Sequence, residues 1–92
     1  MLNDIEVINK LRKAFDESVI SQICDKTRKR IVSYCRMLAT ECCMRKGEST
    51  ITIGKKLNRD HSTVSYYCKN FQNEYEYNKE FRNLADKVLK DE

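Results

Sequence analysis

The 92 residues predict an all-α domain, a bundle of about six helices, on three observations. The chain has no proline and only two glycines, so there are few points at which a helix must break. Apolar residues recur at steps of three and four along most of its length, which is the period of a helix and not of a strand. The polar interruptions fall where helices start and stop: Gly47 follows one periodic run, and Asp60 precedes another.

Taken in order, residues 3–15 place Ile5, Ile8, Leu11 and Phe15 on one stripe, with Asp4 and Glu6 at the positive end of the helix dipole. Residues 18–24 offer Val19, Ile20, Ile23 and Cys24 to the same core. Thr27 is placed to cap a long helix over residues 28–46, where Ile31, Cys35, Leu38 and Cys42 recur. Arg45 and Lys46 complement the dipole in its last turn, and Gly47 supplies a left-handed residue to end it. Ser49 or Thr50 opens a helix over residues 50–57. The β-branched run from Thr50 to Ile53 also suits a strand, but no partner strand exists for it. Gly54 is either a small residue that lets two helices approach or a break in the helix. Asp60 caps a helix over residues 61–75 with Val64, Cys68, Phe71 and Tyr75 on its apolar face, and residues 78–90 return Phe81, Leu84, Ala85, Val88 and Leu89 to the core. Tyr66, Tyr67, Tyr75 and Tyr77 read as core and core rim, with base stacking the lesser alternative.

Composition excludes several classes. No run of about 18 apolar residues is present, and the first residues lack a basic-then-apolar export pattern, so a cytoplasmic protein is expected; a bacterial or phage and mobile-element origin is what the family resemblance given below implies. Five cysteines include no C-x-x-C pair and the single histidine is His61, which argues against a zinc site and for reduced cysteines filling the core. Residues 26–69 hold 11 Lys and Arg against Glu41, Glu48 and Asp60, net +8, whereas residues 1–25 and 70–92 each carry −2. A basic middle between acidic ends suits a polyanion-binding face, although charge alone fits a solvated helix surface as well. Gly54-Lys55-Lys56 has neither the upstream glycine nor the hydroxyl of a phosphate loop, so no ATPase activity and no nucleotide are expected.

The stretch Ile53-Gly54-Lys55-Lys56-Leu57, followed by Arg59-Asp60-His61-Ser62-Thr63-Val64, resembles the signature of the C-terminal DNA-binding domain of the bacterial replication initiator DnaA. Upstream, Arg36-Met37-Leu38-Ala39 and the basic run Thr27-Arg28-Lys29-Arg30 also resemble that family, so the likeness covers about residues 20–90. It implies a small orthogonal, Trp-repressor-like bundle over residues 1–92 as one domain, with a helix-turn-helix at about residues 50–76. The implied partner is double-stranded DNA at a DnaA-box-like site, bound by a monomer, with other replication proteins as further partners and no cofactor, metal or membrane.

By that resemblance Asp60, His61 and Ser62 read base edges, since a helix tip in the major groove presents its first turn to the bases and Asp can accept from a cytosine amino group. Thr63, Arg59, Lys55, Lys56, Arg36 and Arg30 are expected on the phosphate backbone, fixing register and affinity. One departure is plain: where the family has Arg-Pro-Arg-Gln, the chain has Tyr34-Cys35-Arg36-Met37, keeping only the second arginine. The segment between Lys46 and Ile53 is also one residue shorter than the family pattern. The alternatives are a protein-interaction module, or a transcriptional or mobile-element regulator, that keeps the helix-turn-helix shape. An enzyme is disfavoured because adjacent Asp60 and His61 diverge at a helix start and no nucleophile is placed beside them.

Overall fold

A computed structural model describes residues 2–90. Among them are six helices and no strand: α1 Ile5–Leu11, α2 Glu17–Ile20, α3 Arg30–Arg45, α4 Thr50–Leu57, α5 His61–Tyr77 and α6 Lys79–Leu89. The all-α expectation is met, and the β-branched start of α4 is helical, capped by Ser49, whose hydroxyl accepts from the Thr52 N–H at 3.2 Å. Helix α3 is the central element, packing against each of the other five. Its Val32, Cys35, Leu38, Ala39, Cys42 and Cys43 are buried.

The first two helices are shorter than the periodicity predicts. Helix α1 ends at Leu11, so Phe15 is buried from the turn that follows, and the buried face runs through Val7 and Leu11. Ile5, expected in the stripe, is 65% exposed. The cause is the cap: Asp4 accepts from the Val7 N–H and is itself held by Lys46, just after α3, and Lys56 of α4, which fixes the rotation of the helix. Thr27 does not cap α3; Lys29 stands at that position without a side-chain bond, and the Thr27 hydroxyl accepts from the Lys29 N–H within the loop.

Gly47 does end α3 as expected, at φ 85°, with its N–H donating to Met44 and that of Glu48 to Cys43, a Schellman closure. All five cysteines are free thiols. Burial pushes Cys35 and Cys43 up to about 12 and Cys42 to about 11, as suits inert core groups. Asn78 joins the last two helices, ending α5 and capping α6 through the Phe81 N–H. Phe81, fully buried, meets Phe71 and Tyr34 edge to face. Tyr67 is buried, while Tyr75 and Phe71 stack at the core rim. Tyr66 and Tyr77 are exposed.

An ion cluster ties the N-terminus to the helix-turn-helix. The Asp4 carboxylate, only 10% exposed, meets Lys46 at 2.7 Å and Lys56 at 3.1 Å, and Lys56 meets Glu48 at 2.7 Å. Lys46 above all, with Lys56 and the Val7 N–H, holds Asp4 down to about 2 against the opposing effect of burial. Because the folded value lies below the ordinary 3.8, this contribution is complete above about pH 4 and disappears as pH falls through about 2. Asp4→Asn is therefore expected to lower stability at neutral pH and to flatten its acid dependence between those limits, as urea titrations at stepped pH measure.

Candidate nucleic-acid interface

The turn between α4 and α5 is built by three residues, Asn58 to Asp60. Asn58 takes φ 56°, a left-handed conformation that asparagine adopts more readily than other non-glycine residues. The Arg59 N–H then donates back to the Gly54 carbonyl at 2.9 Å, closing α4. Gly54 is where the turn comes closest: a Cβ added there would lie 2.6 Å from the Arg59 carbonyl oxygen. The close-approach reading of Gly54 holds, and the glycine sits inside α4 without breaking it.

Asp60 then starts α5. Its Oδ1 accepts from the Thr63 N–H at 3.0 Å and the Ser62 hydroxyl at 3.2 Å, and the Thr63 N–H, followed by Ser62, lowers its pKa. The Thr63 side chain also bonds to this carboxylate and lowers its pKa further, while the residue as a whole stays exposed. His61 and Ser62 are exposed, and Thr63 is half-buried. Lys55, Arg59, Asp60 and His61, with Ile51 and Asn58, line one open cleft of ≈ 540 Å³ beneath the tip of α5.

Three of the expected backbone contacts are occupied elsewhere. Arg36 is 3% exposed: its Nε donates to the Ile23 carbonyl at 2.7 Å, Nη1 to Thr27 at 2.9 Å, and Nη2 to Gln22 and Asp25. The expectation that Arg36 lies along a duplex is corrected, because a guanidinium satisfied by four carbonyls is a clamp on the segment between α2 and α3. Lys56 is likewise committed to Asp4 and Glu48. Arg30 pairs with Glu80 of α6 at 3.4 Å, on the side of α3 where Tyr34 accepts from Asn78. Tyr34, standing where the family pattern has its first arginine, is a packing group on Phe81.

Beside these lies the start of the basic run, in which the resemblance already sets Arg28 against the duplex backbone; the structure adds Lys26 and Thr27 to it. The loop after α2 is fastened beside the turn: Arg59 donates to the Asp25 carbonyl, Asn58 to Cys24, and the Cys24 thiol to the Lys56 carbonyl. This sets Lys26, Thr27 and Arg28 around a shallow recess of ≈ 420 Å³ with Arg59 and Tyr67. The charge run from Lys26 to Arg30 was the available signal. Which of those cations face the tip depends on where Arg36 pins the loop.

An exposed, capped helix tip, a three-residue turn and cations on two neighbouring loops define a DNA-binding domain of the helix-turn-helix class. The family described as "Bacterial dnaA protein helix-turn-helix" matches residues 6–70, and the chain belongs to it. It is also similar to a chromosomal replication initiator protein DnaA from Lachnoclostridium phytofermentans, 33% identical in an alignment 72 residues long that covers 76% of this chain. Those residues span only 16% of that relative's length. No solved structure matches the chain significantly. No helix among the described residues is long and apolar enough to cross a membrane.

Proposed function

We propose that the chain binds double-stranded DNA in a sequence-specific way, at a site of the DnaA-box kind, in replication initiation or its regulation. The observation that carries this reading is the polar tip of α5. Asp60, His61 and Ser62 are exposed on a capped turn; Lys55 and Arg59 line the cleft beside Asp60 and His61, and Lys26 and Arg28 line a second recess that shares Arg59. In this reading Asp60, His61 and Ser62 reach base edges in the major groove, while Thr63, Lys55, Arg59 and Arg28 hold phosphates. The free N–H groups of the first turn of α5 add a positive end suited to the same backbone. Arg30 remains available at the periphery through an exposed ion pair of small worth. Lys56 and Arg36 serve the scaffold. These 92 residues contain no phosphate loop, and the part proposed for them is to occupy DNA sites.

Selecting bound duplexes from a random pool tests the reading, with His61→Ala as the variant. Enrichment of one box is expected, and alanine at His61 should lower binding to it by about 1–3 kcal/mol with random duplex nearly unaffected. Equal loss on both duplexes would show that the tip does not read bases. Binding that ignores salt would instead favour a protein-interaction module, since phosphate contacts impose a steep salt dependence.

A further inference from the structure

Behind its tip, α5 carries a second feature that the base-reading set does not use. Ser62, Tyr66, Lys69 and Asn73 are all exposed, and at 100° per residue they fall within about 60° of one another. They form one stripe along the solvent face of the helix. From His61 to Asn73 the helix contains no carboxylate, and Glu74 and Glu76 follow only after the stripe ends. A single exposed tyrosine is ordinary on a protein surface. Tyr66, 60% exposed, is notable for its company: its ring leans on buried Tyr67 at 6.3 Å between centroids, which seats it. Neither its hydroxyl nor the Lys69 ammonium has a partner among the described residues. Asn70, by contrast, is turned back to donate to the Tyr66 carbonyl. Glu41, which faces Cys68 on the other side of the helix, is held by Arg45 at 3.0 Å.

The stripe spans eleven steps of the helix, about 16 Å, against a major groove about 12 Å wide. A helix that enters tip first therefore carries its second and third turns past the groove edge, where the phosphate strand runs. Resting on the DNA-binding reading above, we infer that α5 lies along the duplex, with the Tyr66 hydroxyl donating to one phosphate and the Lys69 ammonium pairing with a neighbouring one. Tyrosine and lysine both serve as phosphate contacts, and the absence of acid on this face leaves no repulsion to overcome. The two contacts differ in kind. The hydroxyl is neutral and displaces no counterion, whereas the ammonium does.

The test uses fluorescence anisotropy at stepped salt with the 92-residue chain, a duplex carrying the selected box and a random duplex of equal length. Tyr66→Phe, Lys69→Gln and His61→Ala are compared, each at an exposed position. Tyr66→Phe is expected to weaken binding to both duplexes by about tenfold with the salt slope unchanged. Lys69→Gln should weaken both and reduce the slope by about one. If both variants match the parent while His61→Ala still loses the selected box, docking is by the tip alone: this inference fails and the DNA reading stands. A loss with Tyr66→Phe confined to the selected box would place the hydroxyl on a base and overturn the phosphate assignment. If the parent binds neither duplex, both readings fall together.

Discussion

Arg36→Ala is expected to destabilise the domain by about 3–5 kcal/mol, the largest effect of any single substitution at a polar position, measured as a shift in the urea midpoint with its slope unchanged. The guanidinium fills a space between α3 and the loop after α2 and donates to the carbonyls of Ile23, Thr27, Gln22 and Asp25. Its removal leaves the carbonyls of Gln22, Thr27 and the core residue Ile23 without this donor, while that of Asp25 keeps Arg59. Against a total of roughly 5–15 kcal/mol for a domain of this size, such a loss endangers folding itself. Lysine should recover little, because one ammonium cannot span four carbonyls as the planar fork does. Where the variant still folds, DNA affinity should fall as well, since Lys26 and Arg28 lose the anchor that sets them beside the turn. A variant as stable as the parent would refute the clamp.

Gly54→Ala carries the second large effect, about 2–3 kcal/mol of lost stability together with loss of specific binding. Two terms oppose one another here. Alanine favours a helix interior over glycine by roughly 0.5–1 kcal/mol. A Cβ at 2.6 Å from the Arg59 carbonyl, a backbone atom that cannot rotate away, exceeds that gain. Relief requires the turn to open, which moves Asp60 and the first turn of α5. Gly47→Ala is the matching control: it meets nothing within 4 Å, so its cost is only the strain of φ 85°, about 1 kcal/mol, and DNA binding should survive. Thermal unfolding and anisotropy on the same three proteins separate the two positions. Retained specific binding in Gly54→Ala would mean the turn is not held by this contact.

The helix boundaries readable in the sequence were those marked by local chemistry. Gly47, Ser49 and Asp60 each satisfy or end a helix through atoms within a few residues, so their roles do not depend on the rest of the chain. Thr27 fails as a cap because its surroundings are set by a distant group, the Arg36 guanidinium, which takes the Thr27 carbonyl and bends the loop. Ile5 fails as a core residue for the same kind of reason, since Asp4 is drawn to Lys46 and Lys56, 42 and 52 residues away. The polar tip Asp60-His61-Ser62 was legible in the linear pattern. The sorting of the basic residues around it was not.

The amino-acid order by itself determined the all-helical class, the stop at Gly47, the capped start at Asp60 and the family signature across the turn, because period, caps and turn residues act over one helical turn. Only the tertiary structure decided which cations face outward. Arg36 and Lys56 look like Lys55 in a charge count, but the first two meet carbonyls and carboxylates supplied by other segments, and Arg59 stands between, half-buried with one donor spent on the Asp25 carbonyl. A long cationic side chain goes wherever its hydrogen bonds are best satisfied, and that depends on what folding brings within a few ångströms of its end.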